Sequence, residues 1–308
     1  MKKTLIIDGG LGRCVSAIPA LETFIENNAD ANIVTYAWTA IYWCNQKISG
    51  NIIDSSTKGL FEIIKNTKII KPEPYYNIDF MNNKISMTSA FKIEINGKDD
   101  DIKPKLYFSK SEKINSLNWL KMNSVNIIYQ PFGSSAKYIN GHIIDESCRS
   151  LTLENAISIY ENLVNAGFHV VIIDTKGVDF FEKCPNLNSL NFRSFSSVIS
   201  CSDYFIGIDS CGQHIAHALE IPGTTFFGGT SAVNFGYADW FKIIQKNVHI
   251  KYPPFRICDF DVWLNNLENE NLLDFSDEHI EKIVDVIIDD IKNKYQIEKD
   301  DNGQESKK

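Results

Sequence analysis

Three short stretches carry residue types that could do chemistry. In the run Tyr204 to Thr230, Asp209 and Ser210 follow an apolar segment, Gln213, His214 and His217 come at helix spacing, and a second apolar segment ends in Gly228, Gly229 and Thr230. A helix that starts near Ser210 offers unpaired N–H groups and a positive dipole end, a setting suited to phosphate. The stretch Gly133-Ser134-Ser135-Ala136-Lys137 adds backbone N–H groups, hydroxyls and an ammonium, an inventory that suits a diphosphate. Arg149 precedes the next helix, where it either reaches the same pocket or makes a surface ion pair. The third stretch is Asp8-Gly9-Gly10-Leu11-Gly12-Arg13. It lacks the G-x-G-x-x-G spacing of a dinucleotide fingerprint, so Gly9, Gly10 and Gly12 either make a tight strand-to-helix turn or admit a phosphate or sugar. Arg13 sits at the start of a helix, where a cation opposes the dipole, and an anion beside it would offset that cost.

Other chemistries find less support. His214 and His217 share a helix face, but no third Cys or carboxylate has ligand spacing, so no metal site is expected. No G-x-S-x-G elbow is present for a Ser-His-Asp arrangement. The seven cysteines are scattered without a C-x-x-C pair, as expected of reduced thiols in a cytoplasmic protein.

The elements that must position these stretches follow an alternating pattern. Leu5 to Ile7 predicts a first strand, and the apolar spacing from Val15 to Ile25 predicts the helix after it, with Pro19 in or near its first turn. Ile33 to Tyr36 predicts a strand, Ala40 to Cys44 a short helix, and Ile69-Ile70 the end of a third strand. Met81 to Phe91 and Lys110 to Lys121 are expected helices, and the acidic turn at residues 96–101 is expected to be solvated. A second series starts at Val125: strands at Asn126 to Tyr129, His169 to Ile173, Tyr204 to Ile208 and Thr224 to Phe227, with helices opening at Thr152, Phe195 and Ser210. Asp277 to Tyr295 predicts an amphipathic helix. Alternation of this kind predicts an α/β fold with a parallel sheet, and its resumption after a break predicts two such sheets. The boundary falls near residue 123, with a second domain over 124–275, a final helix over 276–298 and a disordered charged tail over 299–308.

The 308-residue length permits two cores, and the net charge of −8 supplies no global attraction to nucleic acid or anionic membrane. Only three apolar residues, Leu5 to Ile7, come between the N-terminal lysines and Asp8, so the start is read as a strand rather than a signal peptide. No run approaches the roughly 18 apolar residues that span a bilayer. Nothing in the pattern specifies an oligomeric state.

Two of these stretches together resemble the family 9, heptosyltransferase-like glycosyltransferases of GT-B architecture. Gly12 to Leu21, GRCVSAIPAL, is similar to the family's G-D-x-x-x-x-x-P-A-L. Asp209-Ser210 with His214, Ala218-Leu219, Pro222 and Phe227 to Thr230 resembles its D-[ST]-x-x-x-H…A-L-x-x-P…F-G-x-T run. The loop at Gly133 and the turn at Arg149 are similar to its phosphate-contact region. The resemblance implies two Rossmann-like domains facing a cleft, an N-terminal acceptor domain and a C-terminal donor domain. It also implies a last helix crossing back to the N-terminal domain, inverting transfer from a nucleotide-diphosphate sugar, and no metal or other cofactor. It assigns donor binding to Gly133, Ser134, Ser135, Asp209, Ser210, Gly228, Gly229 and Thr230, with Lys137 or Arg149 as the cation.

Arg13 stands where the family has the Asp taken as general base, and arginine cannot accept a proton. Asp8, and next His214, are the substitute candidates. The N-terminus looks closest to phage-encoded members, which would act in a host cytoplasm. That opens a hydroxymethylated base in phage DNA as acceptor beside lipopolysaccharide or another surface glycan. A sugar-nucleotide or glycan binding module without catalysis, and a GT-B-like epimerase, are the other readings.

Overall fold

The computed structural model describes residues 1–36, 38–145, 147–246, 255–257, 260–262 and 273–302. The first sheet is all parallel, built from β1 (Lys3–Ile7), β2 (Asn32–Thr35), β3 (Ile52–Asp54) and β4 (Lys68–Ile70) in the order β3-β2-β1-β4. The order reverses between β1 and β4, so the loops after these two strands flank the crevice at which such sheets bind ligands. β3 was not expected, because two isoleucines carry no alternation.

α1 (Leu11–Asn27) starts directly after the glycine turn, which puts Pro19 in its interior rather than in its first turn. Its residues are apolar or small on nearly every side, so almost the whole helix is buried. The helices that follow are α2 (Thr39–Trp43), α3 (Leu60–Ile64), α4 (Ile78–Met81), α5 (Met87–Asn96) and α6 (Lys110–Ser116). The helix expected over 81–91 is thus two helices, because Ser86 caps a new start by accepting from the N–H of Ser89. The acidic turn is not simply solvated. Buried Lys92 of α5 pairs with Asp99 at 3.3 Å and Asp100 at 3.2 Å.

The second series gives β5 (Asn126–Gln130), a hairpin of β6 (Lys137–Ile139) and β7 (His142–Ile144), then β8 (His169–Ile172), β9 (Tyr204–Ile208), β10 (Gly223–Phe227) and β11 (Phe241–Gln245). Five of these form a parallel sheet in the order β11-β10-β9-β5-β8, which reverses between β5 and β9. β5, β9 and β10 are buried on both faces, as a parallel sheet with helices on each side requires. The helices are α7 (Leu153–Asn165), capped by Thr152, α8 (Phe192–Ile199), α9 (Cys211–Ala218) and α10 (Ala232–Phe235). An antiparallel pair follows, β12 (Phe255–Ile257) and β13 (Phe260–Val262).

α11 (Asp277–Asn302) corrects one expectation. It runs past residue 298, so the first four residues of the expected tail are helical, and residues 303–308 lie outside the described residues. Its first four turns pack on the second half. Ile280, Val284, Ile287 and Ile291 form one stripe that packs on α7 and the second sheet, and Tyr204 donates to Asp290 at 2.5 Å. Among the described residues, no helix is long and apolar enough to cross a membrane.

Candidate active site

The carboxyl edges of the two sheets meet where α1 packs on α9. A Cβ on Gly12 would stand 2.5 Å from Cδ2 of His214, so the two helices approach at a position that only glycine fills without displacement. Ser16, one turn further along α1, lies 3.5 Å from Nδ1 of the same histidine.

On the first half, Gly9 turns the chain with φ 92°, Gly10 is exposed at the start of α1, and Asp8 closes β1. Arg13 does not await an outside anion. It donates from Nε to the carbonyl of Asp8 at 3.1 Å and from NH1 to Glu73 at 2.8 Å, and it lies 3.6 Å from the Asp8 carboxylate. Its guanidinium also packs over Tyr75 and Phe91. Lys71 reaches the other Asp8 oxygen at 3.1 Å. Glu73 and Lys71 sit in the loop after β4, so this quartet spans the switch point of the first sheet. The anion expected beside Arg13 is supplied by the chain itself, through Asp8 and Glu73, as a buried guanidinium requires.

On the second half, Asp209 and Ser210 end β9 beside Gln130 of β5. Gln130 donates to Ser210 Oγ at 3.2 Å and accepts from the N–H of Gly212 at 3.0 Å, so one N–H at the start of α9 is already satisfied. Asp209 accepts from Gln213 at 2.9 Å, and its Oδ1 lies 4.0 Å from Nε2 of His214. His214 is buried, and burial pushes its pKa down to about 4 against the opposing pull of Asp209. A lowered pKa makes its imidazole a weak base. His217 stacks on Tyr237 at 3.7 Å, and burial holds its pKa down to about 3.

The serine loop is organised by Asp145, a residue not singled out from sequence. Its carboxylate accepts from Ser135 at 2.8 Å, from the N–H of Ser147 at 2.9 Å and from Ser150 Oγ at 2.5 Å. Burial raises its pKa, but the serine hydrogen bonds outweigh it and the carboxyl lies below its ordinary range. Ser150 in turn accepts from the N–H of Gly133 at 2.9 Å. Ser134 is exposed and its carbonyl accepts from Lys176 at 2.8 Å, which adds a cation at the end of β8 that sequence reading had not assigned to the site. Lys137 lies on the exposed strand β6 opposite Ile144. Arg149 instead donates to Ser147 Oγ at 2.9 Å and to the carbonyl of Asp209 at 3.4 Å, which places it at the end of β9.

Gly228, Gly229 and Thr230 follow β10 and are buried. The N–H of Gly229 donates to the carbonyl of Cys148 at 2.9 Å, and a Cβ there would stand 2.5 Å from the carbonyl of Ser147, so this turn packs directly on the loop that carries Arg149. Thr230 Oγ1 is buried without a hydrogen-bond partner. Most of the singled-out residues thus gather on two facing edges; Lys137 stands apart on its hairpin.

Paired parallel sheets meeting at their switch points define the GT-B class of fold. Solved structures bear this out over nearly the whole chain. A family 9 glycosyltransferase from Veillonella parvula matches with a TM-score of 0.66 at 10% identity, covering 93% of this chain and 96% of that one. The ADP-heptose lipopolysaccharide heptosyltransferase II of E. coli matches with a TM-score of 0.58 at 12% identity, covering 94% and 99%. The dodecameric iron-containing glycosyltransferase TibC of enterotoxigenic E. coli matches with a TM-score of 0.61 at 16% identity, covering 96% and 77%. At these identities the likeness is one of fold. No family model matches the sequence, and no curated protein does. Among the described residues, no group of three or more His, Cys, Asp or Glu side chains is placed to hold a metal ion.

Proposed function

We propose that the protein is an inverting glycosyltransferase that moves a sugar from a nucleotide-diphosphate sugar to a hydroxyl of a glycan acceptor. The observation that carries this reading is the opposition of the two switch points. One edge presents Asp8. The other presents the start of α9, the serine loop and Arg149, groups that suit a diphosphate. Residues 1–123 would form the acceptor half and 124–275 the donor half.

In this reading Asp8 is the general base. Its carboxylate is oriented by Arg13 at 3.6 Å and Lys71 at 3.1 Å. The acceptor oxygen attacks the anomeric carbon as its proton passes to Asp8. The bond from that carbon to the diphosphate oxygen breaks, and the nucleoside diphosphate leaves with the electron pair. Negative charge developing there is met by Arg149, Ser210 and the N-terminal end of α9. That charge set supports catalysis without a metal ion, whereas TibC is iron-containing. Dialysis against a chelator should leave turnover intact, and loss restored by a metal would overturn this part.

The nucleotide is best sought among ADP-sugars, because TibC has been solved with ADP-D-β-D-heptose and the E. coli heptosyltransferase WaaC with ADP. A panel of ADP-, UDP- and GDP-sugars, read by thermal shift, tests donor binding, and the absence of stabilisation by all of them counts against the reading. Lipopolysaccharide core sugars and hydroxymethylated DNA form the acceptor panel. The glycan is favoured by the net negative charge of the chain, since binding to a nucleic-acid backbone relies on Lys and Arg; transfer to DNA alone would reverse the choice. Asp8→Asn should abolish turnover and keep donor binding, which also separates an enzyme from a binding module.

A further inference from the structure

We propose that Tyr237 is a positioning residue that fixes the tautomer of His214, with the imidazole proton on Nε2 and turned to Asp209. The hydroxyl of Tyr237 lies 2.7 Å from Nδ1 of His214, and the two rings meet edge to face at 86°. On the opposite side of the imidazole, Nε2 lies 4.0 Å from Oδ1 of Asp209.

A neutral imidazole has a single N–H, so one of its nitrogens must accept. Asp209 is buried, and its carboxylate can only accept. The tautomer with a lone pair facing that carboxylate would set two acceptors against each other away from solvent, an arrangement that is costly where water cannot intervene. The proton therefore belongs on Nε2. Nδ1 is then the acceptor, and the phenolic O–H of Tyr237 is its donor.

Tyr237 is itself held in place. Its ring stacks on His217 at 3.7 Å with an interplanar angle of 10°, and it meets Phe241 at 6.2 Å. The hydroxyl is thus a donor with a fixed address, twenty-three residues along the chain from the histidine it serves. Beyond His214 stands Asp209, whose carboxylate accepts from Gln213 at 2.9 Å, so the phenol stands behind the imidazole that faces this carboxylate at the end of β9.

Tyr237→Phe tests this, because it keeps the ring and its stack and removes only the hydroxyl. In the parent, ¹⁵N shifts of the His214 ring should report the Nε2–H tautomer. In the variant, a population of the Nδ1–H tautomer should appear, with Ser16 as its nearest acceptor. A parent in the Nδ1–H form, or a variant with unchanged shifts, would overturn the assignment. Should the variant fail to fold, the shifts of the parent alone decide it. A second readout rests on the function proposed above: kcat should fall about tenfold, the equivalent of one net hydrogen bond, with a smaller change in donor KM. A loss confined to KM would overturn the positioning role. If the parent has no turnover with any donor, the functional reading fails while the spectroscopic result still decides the tautomer.

Discussion

Gly12 and His214 stand so close that a methyl group on the glycine would lie 2.5 Å from the imidazole Cδ2. The ring has little room to retreat, because its Nδ1 is tied to Tyr237 at 2.7 Å. Gly12→Ala should therefore destabilise the protein by about 1–3 kcal/mol, the usual cost of overpacking. Urea unfolding should show a lower midpoint with an unchanged slope. A midpoint equal to that of the parent would mean that α1 and α9 separate without cost.

The buried histidines make the fold sensitive to acid. Burial lowers the pKa of His214 from 6.5 to about 4 and that of His217 from 6.5 to about 3. Below pH 6.5 the unfolded chain takes up a proton on each that the folded chain refuses, so their contribution is complete above that pH and declines as pH falls toward the folded values. The slope is at most about 1.4 kcal/mol per pH unit for each histidine. Unfolding free energies at pH 7 and 5 for the parent and His217→Phe, which keeps an aromatic ring to stack on Tyr237, provide the check. The variant should lose less stability between the two pH values than the parent.

Arg13→Lys should be far from conservative. Lysine cannot serve Glu73 and the Asp8 carbonyl in one planar geometry, and a buried pair with one partner weakened loses about 3–5 kcal/mol at the limit. Thermal unfolding should record the loss, while donor affinity measured below the lowered transition should change little. A rise in donor Kd without a stability change would instead place Arg13 on the substrate.

Asp145→Asn replaces an acceptor that gathers Ser135, Ser147 and Ser150. The serine loop should loosen and donor affinity should fall by about tenfold, on the order of one charge-assisted hydrogen bond. Calorimetric titration with the stabilising nucleotide sugar measures it. An unchanged affinity would remove the serine loop from the donor site.

The strand ends that carry the candidate site were legible in the sequence. The apolar runs at Leu5 to Ile7 and Tyr204 to Ile208 each stop at an aspartate, Asp8 and Asp209, and that is how a parallel strand hands its chain to a ligand edge. The partner of Arg13 was not legible, because Glu73 lies sixty residues away and only the order β1-β4 brings it near. Tyr237 was hidden for a similar reason: it belongs to no motif, and its role rests on a stack and one hydrogen bond. The packing of α11 on α7 was not legible either, because its placement came from resemblance. Its own stripe of isoleucine and valine demanded an apolar face, and α7 supplies one close by.

The quartet of Asp8, Arg13, Lys71 and Glu73 balances two carboxylates against two cations. Seen from beyond a Debye length, those four side chains cancel. This part of the first half therefore exerts little long-range pull on a charged molecule, and capture of an anionic donor falls to the opposite edge. An acceptor meeting Asp8 would be selected by shape and short contacts, so its rate of encounter should barely respond to added salt.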